Sequence, residues 1–253
     1  MIKWLIKKQD EAAVASIRKQ FGFCDAVARV LYNRGLTDKA SIESFFDIDI
    51  ANLHDPLLLA DMEKATARIN KAVANGEKIT VYGDYDVDGC TAVTVVYKFL
   101  SEYFSNIDYY IPDRYDEGYG VSKRCIDYAC ETGVKLMIVL DCGIKAVKEV
   151  EYARSLGIDV IICDHHVPDE ELPEAIAILN PKRKDSTYPF AHLSGCGVGF
   201  KLMQAFALNN GIEFNKLLPL LDDGDVIIDG GNSHFPDTIR RTKYVESKGK
   251  LYI

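Results

Sequence analysis

The sequence predicts an α/β fold: a mainly parallel five-stranded sheet with helices on both faces, an N-terminal helical segment and a strand-helix tail. Two observations carry this prediction. Five short apolar runs rich in β-branched residues recur through the middle of the chain, as "KITVYG", "IDYYIP", "KLMIVLD", "DVIICD" and "AIAILNP". Helix-patterned segments follow the first, second, third and fifth of them: "TAVTVVYKFLSEYF", "SKRCIDYACETG", "IKAVKEVEYARSLG" and "GFKLMQAFALNNG". Strand–helix alternation at this spacing is the signature of βαβ units, whose parallel strands are buried on both faces.

Residues 1–55 read as a separate helical segment. "EAAVASIRKQF", "AVARVLYNRG" and "DKASIESFF" are helix-patterned, and Gly35 is placed to stop a helix. "DPLLLADMEKATARINKAVANGE" then carries apolar residues at three- and four-residue spacing up to Gly76, the pattern of an amphipathic helix leading into the first strand. Residues 56–221 form the α/β domain, and 222–253 the tail.

The polar residues gather at strand ends. Asp84, Asp86 and Asp88 follow the first strand, Asp141 the third, and Asp164, His165 and His166 the fourth. In an open parallel sheet the carboxyl ends of the strands share one edge, where ligands bind. Three groups distant in sequence are therefore expected to meet in one crevice. Two unit charges about 4 Å apart repel by about 4 kcal/mol at an effective dielectric near 20, so such crowding calls for a cation. Oxygen-rich ligands suit Mg²⁺ or Mn²⁺, and imidazoles favour Mn²⁺. Four or more carboxylates suggest two ions sharing a bridging Asp, an arrangement that clamps a phosphoryl group.

Other readings of "DYDVDG" fit less well. A calcium loop needs Glu at its twelfth position, where Val95 stands, and follows a helix rather than a strand. A haloacid-dehalogenase-type nucleophile strand gives no role to "DHH", and a solvated acidic turn gives none to "DCG" or "DHH". Three weaker features lie at the same edge. Arg114 in "PDRYDEGYG" suits a bidentate phosphate contact, or equally an ion pair with Asp116 or Glu117. "SGCGVGFK" offers backbone amides, Gly197 among them, to an anion, or simply close helix packing. "NPKRKD", with Asn180, Lys182 and Arg183, suits a nucleic acid backbone or a solvated turn.

Bulk properties narrow the function classes. The 253 residues carry a net charge of −8, against a broad basic surface for nucleic acid but not against a local site charged by bound cations. No apolar run reaches the ~18 residues of a membrane span, and "MIKWLIKKQDE" is no secretory signal. Seven cysteines without a C-x-x-C are expected to be reduced and mostly buried, as in a cytoplasmic protein.

"VYGDYDVDG", "IPDRYDEGYG", "LDCG", "ICDHH" and "GCGVGFKL" occur in the order found in the DHH phosphoesterase superfamily. In detail they resemble the RecJ-type single-strand-specific exonucleases over about residues 20–221. The resemblance implies a DHH-type, Rossmann-like domain and a two-metal phosphodiesterase using Mn²⁺ or Mg²⁺. It would release nucleotides from the 5′ end of single-stranded DNA. By that resemblance Asp86 and Asp88 hold metal, with Asp84 close behind. Asp141 bridges the ions, His165 is a ligand, and His166 is a ligand or a phosphate contact. Asp164 orients the histidines, and Arg114 binds a substrate phosphate. Two alternatives are carried with it: a DHH-type phosphatase acting on pyrophosphate or short or cyclic nucleotides, and a catalytically incomplete binding module.

The tail departs from that pattern. After "FNKLLPLLD" the family continues with a strand bearing another metal-binding Asp, whereas this chain reads "DGDVIIDGGNSHFPDTIRRTKYVESKGKLYI". That segment resembles part of the coenzyme domain of 6-phosphogluconate dehydrogenase, with Asn232 at the residue near nicotinamide. The dinucleotide turn and catalytic lysine have no counterpart, so neither a nicotinamide cofactor nor dehydrogenase activity is expected. The chain reads as a join of two truncated segments near Asp222. The tail strand "DVIID" is expected on an edge of the main sheet.

Overall fold

A computed structural model describes residues 8–46, 53–213, 226–227 and 251–252. The chain divides into two compact units, residues 1–54 and 55–253. In the first, helices α1 (Glu11–Phe21), α2 (Asp25–Asn33) and α3 (Lys39–Phe46) bury Val14, Ile17, Ala28, Leu31 and Ile42 together. Asp10 caps α1 by accepting from the amides of Ala12 and Ala13, and Gly22 ends it in the left-handed conformation at φ 70°.

The second unit begins with a 3₁₀ turn (Pro56–Leu58) and helix α4 (Met62–Asn75). There follow β1 (Lys78–Gly83), α5 (Val87–Ser101), β2 (Ile107–Tyr110), α6 (Lys123–Glu131), β3 (Val134–Leu140), α7 (Val147–Ser155), β4 (Asp159–Cys163), β5 (Ala177–Leu179) and α8 (Gly195–Asn209). The apolar stretch 55–76 breaks in two because Pro56 starts a short 3₁₀ turn, capped by Asp55. Helix α5 starts four residues earlier than the apolar pattern suggests, because the Asp86 side chain accepts the amide of Gly89 and caps it.

All five strands are parallel, in the order β2-β1-β3-β4-β5. The expected fold class is therefore observed. Alternate residues of each strand face opposite layers. Ile79, Val81, Leu136, Ile138, Leu140, Ile161 and Cys163 pack in a core with residues of α4, α5 and α8. Tyr82, Met137, Val139, Val160 and Ile162 pack with residues of α6 and α7 on the other face. The chain runs from β1 outward to β2 and then returns to β3 on the other side of β1. This reversal opens a crevice at the carboxyl ends of β1 and β3.

All seven cysteines are free, and Cys125, Cys142 and Cys163 are buried. Among the described residues no helix is long and apolar enough to cross a membrane. The tail strand is not on the main sheet: β6 (Val226–Ile227) pairs parallel with β7 (Leu251–Tyr252) in a separate two-stranded sheet, so the expected edge pairing is corrected. The tail helix and Asn232 lie outside the described residues.

Candidate metal centre

The reversal point collects the acidic residues. Asp84 leaves β1 and turns inward, 1% exposed, while Asp86 stays exposed at the start of α5. The loop between them is wound tightly: a Cβ on Gly89 would lie 2.3 Å from the carbonyl oxygen of Asp84, so only glycine fits. Asp141 leaves β3 in the left-handed region, at φ 60°, with its amide bonded to the carbonyl of Cys163 at 2.9 Å. That strained turn aims its carboxylate back into the crevice. Oxygens of Asp84, Asp86 and Asp141 lie within 4.8 Å of one another, as do ligand atoms of Asp141, His165 and His166.

The electrostatics of this cluster are unbalanced. Oδ1 of Asp84 and Oδ1 of Asp141 are buried and accept no hydrogen bond. Leaving a buried acceptor unsatisfied costs about 1–3 kcal/mol, more for a charged one. Burial, reinforced by the charges of Asp88, Asp86 and Asp164, pushes the Asp141 carboxyl up to about 8. Burial also raises Asp84, with Asp86 adding to it. His165 Nε2 stands 3.2 Å from Asp141 Oδ1 and 3.8 Å from Asp88 Oδ2. At 3.2 Å the imidazole and the Asp141 carboxylate are within ion-pair reach of each other. Carboxylates and an imidazole converging this way fit a divalent cation.

Around the cluster the geometry is fixed by hydrogen bonds. Asp164, 1% exposed, takes the amide of Ile144 on Oδ2 at 2.9 Å. Its Oδ1 accepts the amides of His165 and His166 at 2.7 and 3.1 Å and meets His166 Nδ1 at 2.8 Å. A carboxylate only accepts, so Nδ1 carries the proton and His166 Nε2 faces outward, 3.4 Å from the Tyr119 hydroxyl. Fully buried Asn180 donates to the carbonyl of His166 at 2.9 Å. Sequence reasoning placed Asn180 in a basic loop. Its signal was a polar residue ending an apolar strand immediately before Pro181.

Two expectations change. Asp88 sits beside His165, yet both its oxygens also accept amides of α8, from Gly195 and Cys196, each at 2.7 Å. The amide of Gly197 donates to the Ser194 hydroxyl at 3.0 Å. The anion at this helix N-terminus is therefore the chain's own Asp88, and the Gly197 amide is not turned to a phosphate. Arg114 lies with its guanidinium carbon 5.4 Å from the centre of the Tyr85 ring. Neither acidic neighbour in its loop pairs with it. Asp116 faces Arg124 at 3.9 Å, and Glu117 accepts from Tyr110, Ser122 and the amide of Asp113.

The family model described as the DHH family, N-terminal domain, matches residues 78–221, the stretch that holds β1 to β5 and the acidic cluster. The chain belongs to the DHH family. Its curated relatives include the single-stranded-DNA-specific exonuclease RecJ of Bacillus subtilis strain 168, 41% identical over 204 residues, or 81% of this chain and 26% of the relative. RecJ of Escherichia coli K12 is 44% identical over 148 residues, covering 58% of this chain and 26% of that protein. Among solved structures, exonuclease RecJ bound to manganese superposes with a TM-score of 0.57 at 30% identity, over 61% of this chain and 39% of that one. RecJ of Thermus thermophilus in complex with Mn²⁺ shares the fold, with a TM-score of 0.61 at 24% identity, over 80% of this chain and 28% of that one. This DHH chain thus spans about a quarter of the length of those curated relatives.

Proposed function

We propose that this chain provides the metal-binding half of a two-metal phosphodiesterase, a 5′-to-3′ exonuclease on single-stranded DNA. The observation that carries the reading is the pair of buried carboxylate oxygens on Asp84 and Asp141 that accept no hydrogen bond, gathered with Asp86 and His165. Similarity to single-stranded-DNA-specific exonucleases, one of them solved with manganese, supports the substrate and the choice of Mn²⁺ or Mg²⁺.

In this reading Asp84, Asp86, Asp141 and His165 hold the cations, with Asp88 contributing from its place against α8. Divalent ions there supply Lewis acidity and activation of water at neutral pH. The chain's own residues do the rest. Asp164 fixes the His166 ring so that Nε2 meets a phosphate or leaving oxygen. Arg114, held over Tyr85, binds a non-bridging phosphate oxygen. Buried Asn180 keeps the His166 backbone in place.

Residues 56–221 are the working domain, 1–55 a helical accessory, and 222–253 a segment whose dehydrogenase likeness rests on its sequence motif alone. A cytoplasmic setting is part of the same reading, supported by the free cysteines.

The test is release of mononucleotides from 5′-labelled single-stranded DNA with Mn²⁺, compared with pyrophosphate and cyclic dinucleotides, alongside calorimetric Mn²⁺ titration. Asp86→Ala should lower Mn²⁺ affinity at least about tenfold and cleavage by more. Cleavage and Mn²⁺ binding unchanged in that variant would sink the proposal. Preference for pyrophosphate would transfer the site to the phosphatase reading.

A further inference from the structure

Beside the metal cluster lies a cavity of about 310 Å³ that the chemistry above leaves unused. Its lining includes His166, Tyr119, Val121, Ile144, Ala146 and Glu149. Its volume falls at the small end of the range for ligand pockets. Tyr119, 61% exposed, is an aromatic residue of the lining, and buried Ile144 is an apolar one. The nearby polar groups are largely engaged. Lys145 pairs with Asp169 at 2.9 Å, the carbonyl of Gly120 accepts the Tyr82 hydroxyl, and both oxygens of Asp164 are bonded. The Glu149 side chain, partly buried, makes no hydrogen bond or ion pair among the described residues.

We infer that this cavity receives the base of the nucleotide whose phosphate meets His166, and that Glu149 reads the base edge. The inference rests on the nuclease reading above and adds a preference to it. A flat base stacks on an aromatic face whatever its identity, so Tyr119 binds all four alike. A carboxylate only accepts hydrogen bonds, so Glu149 discriminates by donors. Guanine presents N1–H and N2–H side by side to two oxygens. Cytosine and adenine present one amino group. Thymine presents N3–H between two carbonyl oxygens that a carboxylate repels, and that repulsion adds to the selection. The order is guanine first and thymine last. Glu149 also stands in the first turn of α7, where an acid suits the helix dipole. That structural role predicts no dependence on the base.

The experiment titrates the four 2′-deoxynucleoside 5′-monophosphates into the Mn²⁺-loaded chain. The deoxyguanosine nucleotide should bind at least about fivefold more tightly than the thymidine nucleotide, the lower end of a bidentate base contact. Glu149→Gln, which both donates and accepts, should bring the ratio to within about twofold while the melting temperature stays near that of the parent. Tyr119→Ala should weaken all four together and keep the ratio. Equal affinities in the parent chain, or a ratio that survives Glu149→Gln, would overturn the base-reading role alone. Absence of binding by all four with Mn²⁺ bound would overturn the nuclease reading with it.

Discussion

Asp141 carries the most conflict of any single residue in the domain. It is 2% exposed, strained at φ 60°, surrounded by carboxylates, and lacks a donor for one oxygen. Such a residue is a cost to the cation-free fold. Asp141→Asn should therefore raise cation-free stability near pH 7 by roughly 1–3 kcal/mol, because folding no longer forces a proton onto a carboxyl that burial and its acidic neighbours push up to about 8. The same change should abolish the rise in melting temperature that Mn²⁺ gives the parent chain, and thermal melts with and without Mn²⁺ measure both. A variant destabilised without Mn²⁺ would speak against crowding. At this scale the sequence was legible where a charged residue ended an apolar run, as at Asp84, Asp141 and Asp164. It was illegible where one side chain served two neighbours. Nothing local to Asp88 announces that its oxygens also cap a helix more than a hundred residues away. Neutral Asn180 gave little hint that it supports His166.

At the scale of the element, the first turn of α8 is the clearest case of structure serving the site. Ser194 caps it, Asp88 bonds its first amides, and a Cβ on Gly195 would lie 2.3 Å from Asp141 Oδ1. The glycine is required by the carboxylate beside it rather than by backbone conformation. Gly195→Ala should push the Asp141 side chain aside and lower Mn²⁺ affinity by about tenfold or more, read by calorimetric titration. Ser194→Ala should cost about 1 kcal/mol of stability through the lost cap and alter Mn²⁺ affinity far less. Comparable effects on affinity from both changes would mean that α8 acts only as a packed helix. The elements themselves were readable. Unbroken apolar runs marked the strands, which are buried on both faces, and left-handed Gly22 and Gly76 ended helices where the pattern stopped. The opening of α8 at Ser194 was readable too, but the start of α5 was not, because it begins inside the acidic motif, where the Asp86 cap and Gly89 precede the apolar repeat.

For the α/β unit as a whole, buried ionisable groups set the alkaline limit of stability. Burial raises the thiols of Cys125, Cys142 and Cys163 above their ordinary range. Their contribution is complete below the unfolded thiol value near 8.5 and is lost as pH rises above it, by up to about 1.4 kcal/mol per pH unit for each. Lys201, 2% exposed and lowered to about 8 by burial, works the other way, since its folded form binds fewer protons than the unfolded one between 8 and about 10.4. With Cys90 and Cys196 also raised by burial, the thiols outweigh the one amine and leave a net loss. Stability from urea unfolding should fall between pH 9 and 10, and Cys163→Ala should flatten that slope by up to about 1.4 kcal/mol per unit. The parallel α/β architecture was legible from alternation alone. The strand order that brings β1 beside β3 was not, because it depends on which way each crossover turns and packs.

The bond from Asp88 to the first amides of α8 spans 107 residues of chain. A ribosome must therefore deliver nearly the whole domain before that contact can close. Throughout that interval the nascent polypeptide carries its acidic loop without the helix that restrains it. Closure of α8 onto this loop therefore comes late in translation of the domain, after β1, β3 and β4 have already emerged.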